Sequence, residues 1–180
     1  MRKQLVLTAS GRDRPGVLEE VTRIIVQHGG NVETSRFQRL GGDFALIMFV
    51  TAPEHRIEHL RDVISELHFV KFDVQVRLSE ATEPQEAASS TECAITVLGA
   101  DHLGIIHEVT RYLSEQGINV ETMTTEVTAA PMSGTPLFSM SAVVRVPAKL
   151  SLDDLGEALD YIGDELSVDA QLFAEEARRS

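Results

Sequence analysis

The chain has 180 residues, 43% of them hydrophobic, and a formal net charge of −12. No apolar run approaches the roughly 18 residues of a membrane-spanning helix, and no signal-peptide pattern follows Met1, so we expect a cytoplasmic protein without a membrane partner. Residues 1–80 contain 11 basic and 11 acidic residues, whereas residues 81–180 contain 5 and 17, and this acidic half disfavours direct binding to nucleic acid.

The predicted elements begin with an extended apolar run from Lys3 to Ser10, expected to be a strand covered on both faces. Gly11 ends this strand, Asp13 is expected to cap the following helix, and Pro15 suits its first turn. The helix has one apolar stripe, formed by Val17, Leu18, Val21, Ile24 and Ile25. Gly29-Gly30 predicts a left-handed cap at its end.

Three more strands and a helix follow. Residues 31–40 are polar and predict an edge strand, which a tight turn at Gly41-Gly42-Asp43 joins to a strand apolar on both faces, Phe44–Val50. A second helix after Pro53 places Ile57, Leu60, Ile64 and Leu67 inward. The last strand, Phe69–Leu78, alternates and has one wet face.

The chain then repeats itself at a spacing of 88 residues. The segment Gly11–Arg23 returns as Gly99–Arg111, and five further residues recur at the same spacing: Gly29, Asn31, Val32, Glu33 and Thr34 return as Gly117, Asn119, Val120, Glu121 and Thr122. This period predicts two small domains, residues 1–79 and 92–180, joined by a polar linker at 80–91. The second domain has a longer hairpin at 129–136.

Each half therefore has the order strand, helix, strand, strand, helix, strand. This order predicts an α+β protein with two ferredoxin-like βαββαβ domains, each an antiparallel four-stranded sheet with two helices on one face and with its first and third strands in the centre. In the second copy the predicted elements are strand Glu92–Leu98, helix Leu103–Gln116, strands Asn119–Thr128 and Leu137–Val146, helix Leu152–Leu166 and a strand near Ser167–Ala174.

Catalytic and metal-binding patterns are missing from the sequence. No nucleophile with a neighbouring base, phosphate-binding glycine loop or zinc-protease motif occurs, so we predict no enzyme activity and no cofactor. Cys93 has no second cysteine to pair with and is predicted to be a buried strand residue. His55 and His59 have a spacing that can bind a metal, but they lie among charged residues with no evident third ligand, and we predict no metal site.

The repeated turn is the better candidate for function. A helix N-terminus presents unpaired N–H groups that suit a carboxylate, and Gly16 or Gly104 would let a ligand approach the backbone. Asn31 and Asn119 open the next strand, and we expect them beside this turn, where an amide can hold an amino group and a carboxylate together. The alternative is that these residues serve only turn geometry and the helix cap.

These residues carry a resemblance to a known family. Asp13-Arg-Pro-Gly-Val-Leu18 after a first strand, followed by a helix that ends in Gly29-Gly-Asn-Val32, resembles the ACT domain, a ligand-binding module of amino-acid metabolism, and the pattern covers the chain twice. Two such domains, joined by a polar linker and with a longer hairpin in the second, most resemble the group of glycine cleavage system transcriptional repressors. The segment Asn31–Met48 is the most specific part of that similarity. That resemblance implies an amino-acid-sensing repressor of glycine cleavage genes that acts through a protein partner, a LysR-type activator, with glycine as effector.

The resemblance also implies the site. ACT domains commonly bind amino acids where two domains meet, which points to Asp13, Arg14, Pro15, Gly16, Val17, Leu18 and Asn31, and to Asp101, Gly104, Ile105, Ile106 and Asn119. In the second copy His102-Leu103 replaces Arg14-Pro15, so the first domain is better suited to a ligand. Because each half is small, we expect the halves to lean on each other or on a second chain, in a homodimer.

Other functions stay open at this stage. The chain could be a detached regulatory subunit of an amino-acid or one-carbon metabolic enzyme, or a relic of an enzyme that has lost its catalytic domain. A stand-alone enzyme is the least favoured. The acidic second half either keeps the protein soluble or docks on a basic partner.

Overall fold

The computed structural model describes residues 1–66, 73–79 and 90–174. The chain divides into two compact units, Met1–Glu83 and Pro84–Ser180. The first unit contains β1 (Arg2–Arg12), α1 (Val17–Gln27), β2 (Asn31–Leu40), β3 (Asp43–Pro53), α2 (Glu54–Glu66) and β4 (Asp73–Ser79). The second contains β5 (Ser90–Ala100), α3 (Ile105–Glu115), β6 (Asn119–Ala129), β7 (Pro136–Pro147), α4 (Leu152–Leu166) and β8 (Val168–Ala174).

Each unit has one four-stranded antiparallel sheet, with the order β2-β3-β1-β4 in the first and β6-β7-β5-β8 in the second. The predicted ferredoxin-like fold is confirmed, and its first and third strands lie in the centre as expected. Their positions follow from composition, because β1 and β3 bury every second side chain, whereas β2 is exposed along nearly its whole length. An edge strand pairs with another strand on one side only, so a polar and exposed strand is tolerated there.

The helices pack on one face of each sheet to form two separate cores. In the first unit α1 contributes Val17, Val21 and Ile25, and α2 contributes Ile57, Leu60 and Ile64, which lie against Leu5, Leu7, Met48 and Val50 of the sheet. The second core repeats this arrangement with Ile105, Val109 and Leu113 of α3 and Leu155 and Leu159 of α4. The other face of β1 is only half-buried in the chain, at Val6 and Thr8, so the expectation of a strand covered on both faces is met on the helix side alone.

One residue of the stripe predicted for α1 was wrong, and its counterpart in α3 behaves in the same way. Leu18 is 39% exposed and Ile106 is 37% exposed, because residues directly after Val17 and Ile105 lie about 100° around the helix from them. Instead, α1 buries Glu20 next to its apolar residues. The predicted left-handed cap is confirmed: Gly29 has φ 75°, and the Gly30 N–H donates to Ile25 O at 2.8 Å.

Several sequence predictions fall partly outside the described residues. Leu67 and the start of the predicted last strand, 69–72, lie there, as do residues 80–89 of the predicted linker. The other two linker residues, Ser90 and Thr91, belong to β5. Between β6 and β7 the chain turns at 130–135, where the first unit needs only Gly41 and Gly42. Within the described ranges no helix is long and apolar enough to cross a membrane.

Candidate effector-binding residues

The loop before α1 ends at Gly16, in a backbone conformation that only a residue without a side chain adopts easily. Gly16 has φ 92° and is the N-cap of the helix, where it makes no side-chain cap hydrogen bond. The Val17 N–H donates to Arg14 O at 3.5 Å. A Cβ at this position would meet no heavy atom within 4 Å, so the backbone faces open space. The glycine is therefore explained by its dihedral angle, and the uncapped N–H groups behind it are a place where an anion can be bound.

The predicted roles of Asp13 and Pro15 in starting the helix were wrong. The helix begins at Val17, and Pro15 lies in the loop before the cap. Asp13 forms an ion pair with Arg39 of β2 at 2.9 Å, and its N–H donates to Gly42 O at 3.0 Å. Asp13 therefore fixes the loop to the β2–β3 turn.

Arg14 also anchors this loop. Its Nη2 donates to Glu20 Oε2 at 2.7 Å, and the Glu20 side chain is only 11% exposed. A partly buried carboxylate requires such a partner, so the arginine in the motif secures the loop to the first turn of α1. The arginine is itself half-exposed and can also face a ligand.

The second copy has the same backbone but different anchors. Gly104 is the N-cap of α3 with φ 101°, again without a side-chain cap. Asp101, at the place of Asp13, donates its N–H to Pro136 O at 3.0 Å. His102, at the place of Arg14, has its Nε2 at 2.6 Å from Leu166 O and its Nδ1 at 3.1 Å from Leu103 O. These two carbonyl contacts raise the pKa of His102.

Asn31 belongs to a polar cluster at the start of β2. Its Nδ2 donates to Glu33 Oε1 at 3.0 Å, and the same oxygen accepts from Thr51 Oγ1 at 2.7 Å. Arg2 donates to the Thr51 hydroxyl at 2.9 Å and to Thr51 O at 3.0 Å. The hydrogen bonds from Thr51 and then Asn31 hold the pKa of Glu33 below its usual value.

Asn119 repeats this contact in the second unit. Its Nδ2 donates to Glu121 Oε1 at 3.1 Å. The residue paired with Asn119 on β7 is Arg145, which lies 3.6 Å from Glu121 and 3.0 Å from Glu92. A cation thus stands where the first unit has a threonine.

The expectation that the turn and the asparagine lie side by side within one domain was wrong. Asn31 pairs with Thr51, which pairs with Gln4 at the start of β1, whereas the loop follows Arg12 at the other end of β1. Eight residues at about 3.3 Å each separate these two rows by roughly 26 Å. A free glycine spans less than about 5 Å, so one such molecule cannot touch both parts of a single domain.

The remaining predicted residues divide by exposure. Val17 and Ile105 are 2% exposed and belong to the cores, so they can offer a ligand only their backbone. Leu18 and Ile106 are partly exposed beside the two loops and can contact an apolar side chain. None of these twelve assignments is tested by a bound ligand, and they stay predictions.

The sequence analysis missed three residues of the Asn31 cluster, namely Arg2, Glu33 and Thr51. A signal existed for one of them, since Glu33 returns as Glu121 in the repeat. The contacts of Arg2 and Thr51 depend on strand register, which the repeat does not reveal.

Cys93 is fully buried, as predicted, and burial raises the pKa of its thiol. His59 of α2 lies next to His28, with 5.2 Å between ring centroids. Among the described residues no group of three or more histidine, cysteine or acidic side chains is placed to hold a metal.

Comparison with known proteins identifies sequences and structures that the chain resembles. Residues 3–79 match the model of the ACT domain. The glycine cleavage system transcriptional repressor of Escherichia coli K12 is 22% identical over 168 residues, 93% of this chain and 88% of that protein. The similarity to this repressor extends over both repeats of the chain.

Two solved structures share the fold over nearly the whole chain. A protein of unknown function from Galdieria sulphuraria is 28% identical with a TM-score of 0.85, covering 98% of this chain and 100% of that one. A structure provisionally described as a glycine cleavage system transcriptional repressor is 23% identical with a TM-score of 0.67, covering 96% of each chain.

Proposed function

We propose that this tandem ACT-domain protein, which resembles the glycine cleavage system transcriptional repressor, is an amino-acid-sensing regulator with glycine as its effector. It would control transcription of glycine cleavage genes through a protein partner, a LysR-type activator, without contacting DNA itself. The observation that carries this proposal is the recurrence, in both units, of an open left-handed glycine before an uncapped helix N-terminus and of an asparagine at the start of the next strand.

The separation of these two features defines the kind of site. An amino acid has a carboxylate and an ammonium group a few ångströms apart, whereas the turn and the asparagine of one domain lie roughly 26 Å apart along the sheet. We therefore propose that the turn of one chain meets Asn31 of a second chain in a homodimer. The N–H groups after Gly16 would take the carboxylate, and Asn31 would take the ammonium group.

The proposed mechanism requires two arrangements of the protein with unequal affinity for the amino acid. An effector shifts such an equilibrium only by its difference in affinity for the two arrangements. One arrangement would expose the surface that the partner protein recognises. The acidic surplus of residues 81–180 would attract a basic surface on that partner and repel the phosphate backbone of DNA.

A thermal-shift series with the twenty common amino acids tests the sensing step. A ligand present at 100 times its Kd raises the free energy of unfolding by about 2.7 kcal/mol, so glycine is expected to raise the melting temperature by several degrees. If no amino acid changes it, the sensing proposal fails for this chain.

Co-purification from the native cell tests the output. A transcription factor recovered in an amino-acid-dependent manner supports the proposed function. A metabolic enzyme recovered in its place contradicts the transcriptional role and points to a regulatory subunit.

A further inference from the structure

We propose that Glu33 binds the ammonium group of the amino acid, and that Glu121, its counterpart in the second unit, does not. The inference rests on the proposed amino-acid sensing and names the residue that distinguishes an amino acid from other small carboxylates. It also assigns the ammonium site to the first unit alone.

A β-bulge brings Glu33 to its position. The pairing of β2 with β3 shifts between Val32 and Thr34, and Glu33 is the extra residue. A bulge re-aims the side chain that it carries, and here the carboxylate comes within 3.0 Å of the Asn31 amide. The same bulge lies between Val120 and Thr122 in the second unit, so the placement is a property of the motif.

The two neutral donors around Glu33 orient its carboxylate. Among the described residues no cation forms a direct ion pair with it, and the charge of Arg2, which acts from beyond Thr51, also lowers its pKa. Asn31 and Thr51 both donate to Oε1, and Arg2 hydrogen-bonds the Thr51 side chain and backbone. Thr51 is 7% exposed, and its hydroxyl lies between the arginine and the carboxylate, with a hydrogen bond to each. An ammonium ion that reaches this place meets an oriented, ionised acceptor.

The second unit compensates the equivalent charge. Arg145 occupies the register position of Thr51, lies 3.6 Å from Glu121 and is shared with Glu92, at 3.0 Å. A positive ligand group would have to compete with this guanidinium for the Glu121 carboxylate, and the two cations would repel each other. The two units therefore differ in whether an arginine contacts this carboxylate directly.

The chemistry fits an α-ammonium group. It offers three N–H donors, and a carboxylate accepts a charge-assisted hydrogen bond that is roughly twice as strong as a neutral one. A carboxylic acid without an amino group gains nothing from Glu33. The residue is therefore expected to determine specificity for amino acids.

Calorimetric titration of the full chain with glycine and, separately, with acetate tests the proposal, because acetate is glycine without its ammonium group. We expect Glu33→Gln to weaken glycine binding about tenfold or more and to leave acetate binding unchanged. Thr51→Arg, which introduces the cation of the second unit, is expected to weaken glycine binding to a similar degree. Glu121→Gln is the matched control and should bind glycine as the unaltered protein does.

The outcomes separate the two proposals. If the unaltered protein binds glycine and Glu33→Gln binds it equally well, the role of Glu33 is overturned while the sensing function stands. Equal losses of glycine and acetate affinity also overturn it, since they show a merely structural role, and the unfolding midpoint of Glu33→Gln without ligand reports such damage directly. If the unaltered protein binds neither glycine nor any other common amino acid, both proposals fail.

Discussion

Arg14 and Glu20 form an ion pair of 2.7 Å that joins the loop before α1 to the first turn of the helix. The residues at the same places in the second unit, His102 and Glu108, have other partners. Glu108 accepts from Arg111 within α3 at 2.7 Å, and His102 reaches the last residue of α4. Two copies of one motif thus hold the same loop backbone by different contacts, which can be tested separately.

Arg14→Ala is expected to lower the free energy of unfolding by about 1 kcal/mol, because it removes an ion-pair partner from a mostly buried carboxylate while the pair itself is partly solvated. Urea denaturation measures the change. Arg23→Ala removes an exposed pair with Glu19 and is the matched control, with an expected loss below about 0.5 kcal/mol. Equal losses in both variants would show that burial of Glu20 has no energetic consequence.

Gly16→Ala is expected to cost about 1–2 kcal/mol through backbone strain alone, since φ is 92° and a Cβ would contact nothing within 4 Å. Gly104→Ala should behave in the same way. Gly156 of α4 also has open space around it but no positive φ, so Gly156→Ala should stabilise the protein by roughly 0.5–1 kcal/mol. A Gly16→Ala protein as stable as the unaltered one would contradict the conformational explanation.

His102 is expected to make the stability of the second unit depend on pH. Both ring nitrogens lie within hydrogen-bond distance of carbonyl oxygens, an arrangement that favours the protonated ring, and the contacts with Leu166 and Leu103 raise its pKa in the folded state. A raised folded pKa gives stability that is complete below the unfolded value of about 6.5 and is lost as pH rises through the folded pKa. Neighbouring Asp101 acts in the same direction.

Melting temperatures measured between about pH 5.5 and pH 8.5, a window centred near the ordinary histidine value, check this expectation. His102→Ala should lose part of the decline with rising pH, whereas His107→Ala, at an exposed position on α3, should keep it. An identical pH profile for His102→Ala and the unaltered protein would show that the contact with Leu166 does not contribute.

Most of the fold could be predicted from the sequence because two copies of each local pattern point to the same element. The helix stripes and the glycine caps recur at one spacing, and α4 begins and ends at the predicted residues, Leu152 and Leu166. The strands extend up to three residues beyond their predicted bounds, as β3 does from Val50 to Pro53, since hydrogen bonding continues past the last apolar side chain.

The site could be predicted only in parts. The turn and the asparagine were each identified from local chemistry, but their separation depends on pairing between strands distant in sequence, Asn31 with Thr51 and Arg12 with Asp43. Local patterns do not contain that register. For the same reason Asp13, a good cap by residue type, pairs instead with Arg39 across the β2–β3 turn.

The direct test of the account is a titration of glycine into the unaltered protein, Asn31→Ala and Asn119→Ala. The account predicts that the unaltered protein and Asn119→Ala bind glycine, and that Asn31→Ala keeps its fold but does not bind. Glycine binding that survives Asn31→Ala unchanged, or an unaltered protein that binds no amino acid, would contradict it.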